Sequence, residues 1–161
     1  MLRPKLLVID TNVWVDYLLG IEPFCSDIVE LFQTANERDV SLLYTPTTLK
    51  DVFYIVPRQL RREEPSNDPD SSSEVGARTR IAWACVETIT SIASAAPQSM
   101  AECNLAWMLR HKHSDFENNL VIAAAETCNA DYVITYDRQL INRFAPACIT
   151  PGQATDLLTS L

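Results

Sequence analysis

Apolar and polar positions divide the chain into short uninterrupted apolar runs and longer stretches of helical period. Leu6, Leu7, Val8 and Ile9 stand together with no polar alternation, the pattern of a strand buried on both faces, most often in a parallel sheet covered by helices. Asp10 then falls at the carboxyl end of that strand. Residues 13–19 (VWVDYLL) fit a short amphipathic helix closed by Gly20, so Asp10 or Thr11 would serve equally well as a helix cap.

Further on, residues 26–35 place Ile28, Val29, Leu31 and Phe32 at helical spacing, and residues 40–44 read as a second strand. Thr45-Pro46-Thr47 opens a helix, TTLKDVFYIVPRQLRREE, which Pro57 is expected to kink or end. Residues 63–76 (EEPSNDPDSSSEVG) carry almost no large apolar side chain and are expected to form a mobile insertion. From 77 to 93, Ile81, Cys85, Ile89 and Ala93 recur every four positions as one buried helical face. A weak strand at 95–100, helices at 101–110 and 115–128, strands at 132–135 and 147–149, and a Pro-started helix at 151–158 complete the pattern. The alternation of strands and helices predicts an α/β domain with a parallel sheet and helices on both faces.

A chain of 161 residues that is 47% apolar is long enough for one real core and too short for two ordinary ones, so a single domain over 1–161 is expected. No apolar stretch approaches the roughly 20 residues of a membrane span, and the N-terminus does not read as a signal peptide; a cytoplasmic location is the expectation. Cys25, Cys85, Cys103, Cys128 and Cys148 are odd in number, widely spaced and without a C-x-x-C pair, and read as reduced core thiols. A net charge of −8 argues against a broad basic footprint for nucleic acid. It leaves room for a nuclease whose carboxylates are drawn into a metal site.

Acidic or amide oxygen stands at a strand end or helix start in four places: Asp10, Asp51, the group Asp115-Glu117-Asn118-Asn119, and Asp137. In a parallel sheet all four can converge on the crevice outside the strand carboxyl ends, where such folds bind ligands. Each alone has a plainer reading, as a helix cap for Asp10 and Asp115, a surface charge for Asp51 and a turn residue for Asp137. Converging carboxylates repel one another unless a cation is bound, and hard oxygen donors select Mg²⁺ or Mn²⁺. The chemistry expected is metal-assisted hydrolysis of a phosphodiester. His111 and His113 lie in a basic turn with Arg110 and Lys112 and read as a solvated helix end or a phosphate contact, not as a general base. Arg58, Arg61, Arg62, Arg138 and Arg143 are candidates for phosphate contact, with a solvated surface as the plain alternative.

The stretches LLVIDTNVWVDYLL, TPTTLKDVFYIV, DFENNLVIAAAETCNADYVITYDRQL and APACITPGQATDLL together resemble the PIN-domain ribonucleases, the family that includes the VapC-like toxins of bacterial toxin–antitoxin pairs. The resemblance spans the chain except 63–76. It implies a three-layer α/β/α domain with a central, mostly parallel sheet, and a Mg²⁺- or Mn²⁺-dependent endoribonuclease cutting single-stranded parts of structured RNA such as transfer RNA. It also implies a small antitoxin partner and a homodimer, to which Trp14, Trp83 or Trp107 could contribute. Carried over by position, Asp10 is the first metal-binding acid with Asn12 supporting its loop, and Asp51 is the second, where many members have Glu. Asp137 is the last acid, beside the hydroxyl of Thr135. Asn118 stands where many members carry an Asp, with Asp115 and Glu117 flanking it as compensating groups. An amide keeps the shape and one oxygen but removes a charge, weakening the hold on a divalent cation. The chain is then either a nuclease of reduced activity, naturally or by deliberate neutralisation of an acid, or a non-catalytic module of the same fold that binds RNA or a protein. A small phosphatase-like hydrolase with Asp10 as nucleophile is a third reading, disfavoured because Asn12 stands where a second Asp is usual.

Overall fold

The computed structural model describes residues 5–63 and 71–160. Five strands form one sheet: β1 (Leu6–Ile9), β2 (Ser41–Tyr44), β3 (Ser94–Ala95), β4 (Tyr132–Ile134) and β5 (Cys148–Ile149). Every adjacent pair is parallel, in the order β3-β2-β1-β4-β5. The strands are joined by α1 (Thr11–Leu19), α2 (Phe24–Glu37), α3 (Pro46–Glu63), α4 (Ser72–Ile92), α5 (Met100–Leu109), α6 (Phe116–Thr127), α7 (Arg138–Phe144) and α8 (Pro151–Thr159).

Alternation along β1 sorts the helices into two layers, because successive side chains of a strand point to opposite faces. Leu7 and Ile9 pack with Val13 and Trp14 of α1, Ile28 and Leu31 of α2, Val52 and Val56 of α3, Ile89 of α4 and Leu158 of α8. Val8 faces the other way, onto Val121, Ile122 and Ala125 of α6 and Leu140 and Phe144 of α7. Ala106 of α5 packs on Leu120 and Ala123 of α6. The result is a three-layer α/β/α domain.

Several elements differ from the sequence pattern. Helix α3 runs through Pro57 to Glu63; proline removes one backbone donor, but Val52 and Val56 are fully buried on the preceding turn and hold the helix to the core. Of the expected insertion, residues 64–70 lie outside the described residues, while residues 72–76 already belong to α4, capped by Ser71, whose Oγ accepts from Glu74 N. The buried face of α4 is Ala82, Cys85 and Ile89, and Ile81 is exposed. A strict four-residue repeat drifts off a 3.6-residue helix. The weak third strand lies at Ser94–Ala95, overlapping the expected 95–100 only at Ala95, and α7 forms where the sequence pattern predicts no helix. Trp14 is wholly buried, whereas Trp83 and Trp107 are exposed. All five cysteines are free; Cys85 and Cys148 are buried, but Cys103 is exposed and is not a core thiol. Among the described residues no helix is long and apolar enough to cross a membrane.

Candidate functional site

Register brings the two ends of the chain together. Ile9 of β1 is level with Ile134 of β4, and Asp10 N extends the ladder by donating to Ile134 O at 3.0 Å. The next residues, Asp10 and Thr135, therefore emerge side by side where the strand order reverses direction, the crevice at which open α/β sheets bind ligands. Thr135 Oγ1 donates to Asp10 Oδ2 at 2.7 Å. Asn12 Nδ2 donates to the same oxygen at 2.7 Å, and Thr11 N to Oδ1 at 2.7 Å. Asn12 is oriented in turn by Tyr136 N, which donates to its Oδ1 at 3.2 Å. Thr135 Oγ1 also accepts from Asp137 N at 3.0 Å.

Asp10 is only 5% exposed. Burial raises its carboxyl above the usual carboxylate range, the hydrogen bonds from Thr135, Thr11 and Asn12 work against that rise, and the nearby Asp137 charge adds to it. A raised value in the fold means that ionising Asp10 weakens the fold as pH climbs through it, unless a cation arrives.

A cleft of about 410 Å³ opens beside Asp10, lined by Asn12, Asp16, Thr47, Asp51, Glu117 and Asn118 among others. Asp51 comes from the second turn of α3. That helix is positioned by a hydroxyl cluster: Thr45 Oγ1 lies 2.9 Å from Thr47 Oγ1 and 3.0 Å from Thr48 Oγ1, and Thr11 Oγ1 donates to Thr48 Oγ1 at 3.2 Å. Gln98, from the segment after β3, grips Thr47 through both its amide atoms at 3.0 Å. Burial raises the half-buried Asp16 as well.

Glu117 and Asn118 reach the cleft from the first turn of α6. Asp115 caps that helix, its Oδ1 accepting from Asn118 N at 2.9 Å, and it does not line the cleft. Asp137 caps α7, with Oδ1 accepting from Gln139 N at 2.7 Å and Leu140 N at 3.2 Å. Its other oxygen accepts from Asn118 Nδ2 at 3.0 Å. The same amide nitrogen lies 3.2 Å from His113 Nε2.

His113 is buried at 7% exposure, edge-on to Phe144, and its carbonyl accepts from Asn119 Nδ2 at 2.8 Å. The solvated helix end expected of it is therefore corrected; tertiary contacts from α6 and α7, invisible in the local sequence, bury it. His111 is exposed, as are Arg58, Arg61, Arg62, Arg138 and Arg143. The sequence also gave no sign of Lys50, whose Nζ lies 2.9 Å from Asp51 Oδ1 and 3.5 Å from Glu117 Oε1.

The family model described as PIN domain matches residues 6–139, the interval from β1 through the start of α7 that holds every element of this cleft. The chain belongs to the PIN-domain family. No curated protein matches it.

The polar side chains lining the cleft of this PIN domain offer carboxylate, amide and hydroxyl oxygen and neither imidazole nor sulfur, the donor types that hard cations prefer. Among the described residues, however, no three or more His, Cys, Asp or Glu side chains are grouped closely enough to hold a metal ion. Asp10, Asp51, Glu117 and Asp137 each have a partner from within the PIN chain itself.

Proposed function

We propose that the cleft is a phosphodiester-hydrolysing site that acts on RNA, an endoribonuclease dependent on Mg²⁺ or Mn²⁺ and weakened by the amide at position 118. The observation that carries this reading is the meeting of Asp10, Asp51, Glu117 and Asn118 in one cleft, with Asn118 bonded to Asp137. Asp10, Asp51 and Asp137 would hold the cation with the oxygen of Asn118, and Glu117 or Asp115 would supply charge that position 118 lacks. A bound divalent ion would lower the pKa of a water and stabilise the leaving oxygen. Asn12 and Thr135 fix the Asp10 carboxylate in one orientation, so that little rearrangement would accompany binding.

In the finer form of this reading the chain is a single-domain, VapC-like toxin of the cytoplasm. A small antitoxin would cover the acidic cleft, and two copies would pair through outer helices. The exposed Trp83 and Trp107 are available for such contacts.

The test is cleavage of single-stranded RNA and of transfer RNA by the purified protein and by Asn118→Asp, with Mn²⁺ or with a chelator. Asn118→Asp should cut at least tenfold faster in Mn²⁺, be silent with chelator, and lose activity when Asp10→Ala is added. Failure of every variant to cut would overturn the reading. It would leave the second one, an RNA- or protein-binding module without turnover, which the bond between Asn118 and Asp137 favours, because Asp137 Oδ2 is already taken up by a donor from within the chain.

A further inference from the structure

Lys50 projects from α3 between two acidic side chains that belong to different helices, Asp51 of α3 at 2.9 Å and Glu117 of α6 at 3.5 Å. Both carboxylates line the cleft. One ammonium thus joins α3 to α6 beside the cleft, through two of the carboxylates that line it. Lys50 Nζ meets one oxygen of each acid, Asp51 Oδ1 and Glu117 Oε1, so the contest with a divalent cation is one of charge: an ammonium held on both carboxylates repels an incoming cation, which would gain their full charge only after the ammonium has moved away.

We propose that Lys50 is the resident cation of this cleft, holding Asp51 and Glu117 while no metal is bound, and that a divalent cation must displace it in order to bind. This rests on the metal-dependent reading above. Lys50 is 55% exposed, so the ammonium can swing into water when a stronger cation arrives, and its hold is that of an exposed ion pair, weak and sensitive to salt. The device sets a threshold: Mn²⁺ at low concentration leaves the lysine in place, and Mn²⁺ above the threshold replaces it.

The experiment is Mn²⁺ titration calorimetry on the full chain as wild type, Lys50→Met, Asn118→Asp and the double variant, with Lys50→Arg as a charge-retaining control. Methionine keeps the apolar stem and removes the charge. Lys50→Met should bind Mn²⁺ about five- to tenfold more tightly than its parent in both backgrounds, and Lys50→Arg should stay close to wild type. If Asn118→Asp binds Mn²⁺ and Lys50→Met adds nothing in either background, the lysine is an ordinary surface pair and the proposal falls while the metal-dependent reading stands. If even the double variant binds no Mn²⁺, both fall.

Discussion

Asn118 Nδ2 donates to Asp137 Oδ2 at 3.0 Å, so an amide lies against a carboxylate at the place where the family pattern often sets two acids. Replacing it by Asp would leave two carboxylates within hydrogen-bond distance of each other, with a carboxylate in place of the amide beside His113 Nε2. Like charges so close raise each other's pKa and cost stability unless a cation intervenes. Asn118→Asp should therefore melt several degrees below wild type in chelator at pH 7.5, and recover as Mn²⁺ is added, because binding to the folded state alone stabilises it. Equal melting temperatures in chelator would show that the amide does not relieve a repulsion.

Thr135 holds the same site from the other side, giving a hydrogen bond to Asp10 and taking one from Asp137 N. Thr135→Val keeps the volume and removes both, leaving a buried carboxylate short of a donor. A loss of about 1–3 kcal/mol in unfolding free energy is expected, measured by urea denaturation. Thr135→Ser should restore most of it.

Glu102 is an acid whose role is structural. Its carboxylate accepts from Ser99 Oγ and Ser99 N in the capping box of α5, and these bonds bring its pKa down to about 2 from the ordinary 4.5. A depressed value stabilises the fold above about pH 4.5, and that contribution is lost as pH falls from there toward 2. Glu102→Gln should flatten the pH dependence of the melting temperature within this window and leave it unchanged near neutrality in shape. Ser99→Ala should cost about 1 kcal/mol, roughly 2–4 °C, at pH 7.

The cysteines should separate cleanly under a thiol reagent. Cys103 is exposed, whereas Cys148 is buried and its thiol is pushed up to about 12 by that burial. Since the thiolate is the reactive form, Cys103 should label within minutes at pH 7.5 and Cys148 only on unfolding, as read by intact mass. Rapid labelling of both would mean that β5 opens readily.

Strands β1 and β4 are legible because a parallel sheet covered on both faces writes itself as an unbroken apolar run, LLVI and YVI. Strand β5, though only two residues long, falls inside the expected 147–149, whereas the two residues of β3 leave too short a run to place and lie at the edge of the expected 95–100. Helix α7 escaped because only Leu140 and Phe144 mark its buried side and Asp137 ahead of it reads as a turn. Of the candidate oxygen donors, Asp10, Asp51 and Asn118 are legible from their position after a strand or at a helix start and share the cleft, whereas Asp137 caps α7 and is not among the residues lining it. Asp115, chosen by the same logic, caps its helix and stays outside it. His113 and Lys50 escaped because their significance lies in partners from other elements, which local spacing does not encode.

Asp10 and Thr135 are 125 positions apart in sequence, and β4 reaches β1 only after β2 and β3 have been laid down on the opposite side. The consequence concerns timing during synthesis. A chain emerging from the ribosome folds in order, N-terminal part first, so β1 and its acid wait for most of the polypeptide before Thr135 arrives to hold the Asp10 carboxylate. An unfinished or truncated chain ending before β4 lacks that hydroxyl and the sheet neighbour that carries it, and its Asp10 is left without the orientation it has in the finished domain.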